Sequence, residues 1–76
     1  MSDLTIIDLT ARELEVLKLL SYGFSSKEIS QKLFISPNTV EYHRKQLLRK
    51  TASRNAAHLI GKAFRAGLLV VEGDDN

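Results

Sequence analysis

The chain has 76 residues, a net charge of +2, 43% hydrophobic and 26% charged residues, and no cysteine. That describes one small domain, with a core so limited that oligomerisation is a common remedy. Disulfides and thiolate metal sites are excluded, two histidines (His43 and His58) are too few for most metal sites, and no apolar run reaches the ~18 residues of a membrane span. Ser2, Asp3 and Asp8 stand where a signal peptide would carry basic residues, so the expected location is the cytoplasm.

Residues 1–9 are predicted as an arm, from which Leu4, Ile6, Ile7 and Leu9 could pack onto the core. Thr10 opens a capping box with Glu13, an apolar stripe follows at Leu14, Leu17 and Leu20 with Val16, and Gly23 is a stop signal. The first helix is therefore expected over Ala11–Ser21. Tyr22 and Phe24 flank its stop as core or turn packing. Ser25 and Glu28 repeat the capping box, and Ile29 and Leu33 give a short helix over Ser26–Leu33 its inward face. Ser36 caps a third helix with Pro37 at its first position, running to about Thr51. The fourth starts after Ser53 or Asn55 and ends at Gly67; residues 70–76 form an acidic, flexible tail. The fold class is all-α, a four-helix domain over residues 10–69 with a central helix-turn-helix. Phe34 occupies the turn where many such motifs use Gly, so positive φ is not expected there.

Charge is unevenly placed. Residues 27–65 carry nine Lys and Arg against Glu28 and Glu41, a net +7, while both ends are acidic. An anionic partner for the middle segment follows. On a helical wheel, Val40, His43, Leu47 and Thr51 take the buried side of the third helix, with Ile35 and the small Ser30 facing inward nearby. Asn38, Glu41, Tyr42, Lys45 and Arg49 take the opposite side. Amide, acid, phenol, ammonium and guanidinium groups are those that read base edges and phosphates. A solvated polar face is the ordinary meaning of such a surface, but the helix-turn-helix spacing and the charge asymmetry agree on DNA. Glu41 lies near the helix N-terminus and four residues before Lys45; it either holds Lys45 or accepts from a cytosine amino group. His43 is expected as a packed, hydrogen-bonded histidine, and His58 has no assigned role. No nucleophile–base pair, metal cluster or phosphate loop suggests an enzyme or a cofactor.

In the fourth helix Leu59, Ile60 and Ala63 are expected in the core. Ala57, Gly61 and Phe64 extend the apolar arc sideways, either as a two-fold dimer contact or, for Phe64, as closure of the monomer's core.

The stretch "LTARELEVLKLLSYGFSSKEISQKLFISPNTVEYHRKQLLRKT", followed by "A…GLL", resembles the LuxR-type (GerE-type) helix-turn-helix domain of bacterial transcription regulators. The resemblance covers about Leu9 to Leu69. It implies a DNA-binding domain whose third helix enters the major groove and whose fourth often dimerises. Carried onto this chain, the family's base-contacting positions fall on Glu41, Tyr42 and Lys45. Its phosphate-contacting positions fall on Lys27, Ser36, Asn38, Thr39, Arg49 and Lys50, with Arg44 beside them. Three departures stand out: Glu41 where Lys is frequent, "TAS" at Thr51–Ser53 in place of an "LGV"-like link, and Ala56 where Arg often stands. The resemblance implies double-stranded DNA and a second copy of the chain as partners. The competing readings are a sigma-region-four-like module, with RNA polymerase as its partner, and a protein-interaction module.

Overall fold

A computed structural model of the protein describes residues 8–70; the expected packing of Leu4, Ile6 and Ile7 and the tail beyond Val70 lie outside the described residues. Four helices follow in order: α1 (Ala11–Ser21), α2 (Ser26–Leu33), α3 (Pro37–Lys50) and α4 (Ala56–Arg65). Among the described residues there is no strand.

The starts are set by side chains. Thr10 and Ser25 each accept from the backbone N–H three residues on, while Glu13 and Glu28 accept from the Thr10 and Ser25 N–H in return. Ser36 accepts from Thr39 N–H at 3.1 Å, and Asn55 from His58 N–H at 2.9 Å. These caps satisfy donors that no helical carbonyl can reach.

The ends share one device. A six-residue hydrogen-bonded ring closes each helix, from Phe24 N–H to Leu19, Ile35 to Ser30, Ser53 to Leu48 and Leu68 to Ala63. Such a ring requires a left-handed residue just before its donor. Gly23 and Gly67 fill that position in α1 and α4, with φ of 92° and 82°. In α2 and α3 it falls on Phe34 and Ala52, at φ of 59° and 52°. The expectation that Phe34 avoids positive φ is therefore wrong: the ring to the Ser30 carbonyl requires it, whatever residue stands there.

Val16, Leu17, Ile29, Val40, Leu47 and Leu59 are fully buried, with Leu20, Ala63 and Leu69 close behind. Every helix thus contributes to one core, each large side chain giving roughly 1.5–3 kcal/mol before entropy. The buried stripe of α1 is Glu13, Val16, Leu17 and Leu20, at i, i+3, i+4 and i+7. Leu14, expected on that stripe, is left partly exposed because Glu13 takes the inward position. In α4, Leu59 and Ala63 are core as expected, whereas Ile60 packs only partly buried at its edge. Lys62 fixes α4 to the end of α3. Its Nζ donates to the carbonyls of Thr51 (2.6 Å) and Ala52 (3.0 Å), where a helix C-terminus favours a cation.

A non-glycine residue in the left-handed region costs about 1–2 kcal/mol, and glycine's extra unfolded-state freedom returns part of that. Phe34→Gly and Ala52→Gly should each stabilise the domain by about 0.5–1 kcal/mol, and Gly67→Ala should destabilise it by about 1 kcal/mol. Urea unfolding at neutral pH checks all three; two destabilised glycine variants would show that these ends carry no strain.

Candidate nucleic-acid interface

The site is built on α3. Val40 and Leu47 are buried, Thr51 beyond its end is buried, and Asn38, Glu41, Tyr42, Lys45 and Arg49 are all exposed. The face expected to point outward therefore does. Pro37 and the Ser36 cap start this helix, and the Ser36 and Thr39 hydroxyls lie 2.9 Å apart at its tip. Lys27 is exposed in the first turn of α2.

The charged groups are not equally available. Lys45 and Lys27 have no ion-pair or hydrogen-bond partner for their ammonium groups among the described residues. Arg49 donates to the Gln46 side-chain carbonyl. The expected hold of Glu41 on Lys45 is not found; its Oε1 lies 3.7 Å from Arg44 Nε, three residues on, and its Oε2 accepts the Ser26 hydroxyl. Ser26, which the sequence did not single out, thus joins the first turn of α2 to this face.

Lys50 is the most committed cation. Its Nζ sits 2.8 Å from Glu13 Oε1 and donates to the Asp8 carbonyl at 3.3 Å. Glu13 is buried, which by itself raises a carboxyl pKa. The Lys50 hydrogen bond and charge, with the Thr10 N–H and hydroxyl, outweigh burial and hold it below the usual carboxylate range. This ion pair ties the C-terminal turn of α3 to the first turn of α1.

His43 packs edge-on against Tyr42 at 5.5 Å, on the half-buried side as expected. Among the described residues its buried Nδ1 has no hydrogen-bond partner, against expectation. His58 Nδ1 accepts from Arg54 N–H at 3.1 Å at the start of α4. Partial burial, with Lys62, Arg54 and Arg65 nearby, lowers its pKa and favours the neutral ring that can accept. Tyr22 is half exposed and meets Phe24 edge-on at 6.4 Å, with Lys32 Nζ over the Phe24 ring at 4.4 Å, which makes the pair turn packing. On α4, Ala57 and Phe64 are exposed and Gly61 is half-buried, so Phe64 does not close the monomer's core. Among the described residues no three His, Asp or Glu side chains gather to hold a metal, and no helix is long and apolar enough to cross a membrane.

A capped helix with a buried apolar side and an exposed basic side, held against a short second helix, defines a helix-turn-helix DNA-binding unit. Residues 8–63 match the bacterial regulatory proteins of the luxR family, and the chain belongs to that family. It is similar to the oxygen regulatory protein NreC of Staphylococcus aureus strain JH9, 39% identical over 61 residues, which cover 80% of this chain and 28% of that protein. NreC of strain USA300 gives the same identity and coverage. The chain thus spans little more than a quarter of the length of these relatives. The matched region is a DNA-binding domain of the transcription-regulator type, and the sigma-like and protein-interaction readings are not favoured.

Because the Glu13 pKa is lowered in the folded state, its stabilisation is present above about pH 4.3 and is lost as pH falls through the folded value. Glu13→Gln should cost roughly 1–3 kcal/mol at neutral pH and flatten the loss of stability from neutral pH down through the carboxylate range. Urea unfolding across that range checks it; a variant as stable and as acid-sensitive as the wild type would show that the Lys50 pair contributes nothing.

Proposed function

We propose that the chain binds double-stranded DNA sequence-specifically, with α3 in the major groove. The observation that supports this most is the division of α3: Val40 and Leu47 are fully buried while Asn38, Glu41, Tyr42, Lys45 and Arg49 are exposed together. Glu41, Tyr42 and Lys45 form the edge that meets the bases. Lys45, whose ammonium has no partner among the described residues, suits the O6 and N7 acceptors of guanine. Lys27, Ser36, Asn38, Thr39, Arg44 and Arg49 face phosphates. Lys50 joins them only by sharing its ammonium with Glu13. Residues 10–69 act as the self-contained binding unit, working by binding, with no chemical step and no cofactor, in the cytoplasm.

The exposed Ala57, the half-buried Gly61 and the exposed Phe64 form a two-fold contact between α4 helices of two copies. A dimer reads two half-sites at a spacing set by the protein. RNA polymerase is the further partner through which such binding acts on transcription.

Selection of bound duplexes from a random pool at fixed salt should return a single motif with two related half-sites. With Lys27, Arg44 and Arg49 as the cationic phosphate contacts, the log–log salt slope should be about −3 per protomer, and Arg49→Ala should reduce it by about 1. A slope near zero would overturn the phosphate contacts. For the dimer, a Cβ at Gly61 meets only the Arg65 guanidinium, at 3.4 Å, so Gly61→Ala should raise monomer stability by about 0.5–1 kcal/mol. Gly61→Glu should abolish self-association in sedimentation; if wild type and variant are both monomeric at high micromolar concentration, α4 is not the interface.

A further inference from the structure

Glu41 is the sole acid in α3, and both of its oxygens are engaged. Oε2 accepts the hydroxyl of Ser26, 15 residues earlier and at the start of α2; Oε1 lies 3.7 Å from Arg44 Nε. One carboxylate therefore bridges the two helices of the motif and also holds a guanidinium on the exposed face. An uncompensated acid here would repel phosphates. Paired with Arg44 it adds no local net charge, and Arg44 keeps its terminal N–H groups for an acceptor outside the protein. Lys45, the alternative partner at i+4, is left unpaired among the described residues.

We infer that Glu41 is a positioning residue of the DNA-binding face, acting through Arg44 and Ser26 and not by reading a base edge itself. It restricts the Arg44 side chain to one direction. Through Ser26 it also fixes the first turn of α2, with Lys27, relative to α3. Both effects hold the cations of α2 and α3 in one register, which only a correctly docked duplex satisfies. This inference rests on the proposed binding of DNA and changes one part of it: Glu41 stands at the base-facing edge as a support, and Tyr42 and Lys45 make the base contacts.

The test uses Glu41→Ala, Arg44→Ala, their double variant, and Ser26→Ala, each checked by thermal unfolding. The DNA readout is affinity for the selected duplex relative to a scrambled one. Glu41→Ala and Arg44→Ala should each lower that ratio roughly tenfold, the double variant should lower it by the same roughly tenfold, and Ser26→Ala by roughly threefold. Selection with Glu41→Ala should return the wild-type motif, weakened throughout. A new base preference at one position, or a roughly hundredfold loss in the double variant, would overturn the inference, because Glu41 would then read DNA independently. A second readout needs no DNA: the Arg44 Nε–H signal in 15N relaxation should be ordered in the wild type and mobile in Glu41→Ala. Equal order in both would also overturn it. Loss of Arg44 order without any salt-dependent DNA binding by the wild type would instead overturn the DNA reading alone.

Discussion

The rotation of α3 about its own axis is the constraint on which the rest depends. Fourteen residues must bury one side and present the other. Val40 and Leu47, two turns apart and fully buried, fix that rotation. Each contributes roughly 1.5–3 kcal/mol, against roughly 0–1 kcal/mol for an exposed ion pair such as Arg44 with Glu41. The apolar contacts therefore decide which way the helix faces, and the charged groups only refine what it presents. A turn of one residue about the helix axis would bury Glu41 and expose Val40, and nothing in the core could compensate the buried acid.

Two polar contacts finish what the core begins. The Glu13–Lys50 pair joins the far end of α3 to α1, and Lys62 takes the carbonyls that α3 leaves open at Thr51 and Ala52. Both lie away from the exposed face of α3. They hold the helix at its C-terminal end, while buried Val40 and the Ser26–Glu41 hydrogen bond hold its N-terminal half against the rest of the domain. The same end explains how α4 follows a link without glycine: Ala52 takes the left-handed conformation itself, and the Lys62 bonds add support.

Helix limits and the outward face were legible because both are local. A Ser or Thr followed by Glu three residues on, a Pro after a Ser, and a period of 3.6 residues act within a few positions of each other. What was not legible depends on partners far apart in sequence. Glu13 reads as a cap and is also a buried ion-pair partner for a lysine 37 residues away. Ser26 reads as an ordinary helical serine until α3 brings Glu41 to it. Phe34 was misread because the residue type argued against positive φ, whereas the ring closing α2 dictated it. In α1 the leucine at position 14 looked like core only because an acid at position 13 did not. The base sequence bound lies further out still, since it depends on a docked geometry with DNA.

The exposed side of α3, with Lys27 of α2 beside it, is the surface proposed to meet DNA. Backbone amide shifts in a 1H–15N titration with a duplex carrying the selected site test it most directly. The large changes should cluster at Lys27 and from Ser36 to Arg49, with Lys18, Lys62 and Arg65 nearly unmoved at moderate salt. Changes of similar size at every Lys and Arg, or concentrated on α1 or α4, would contradict it.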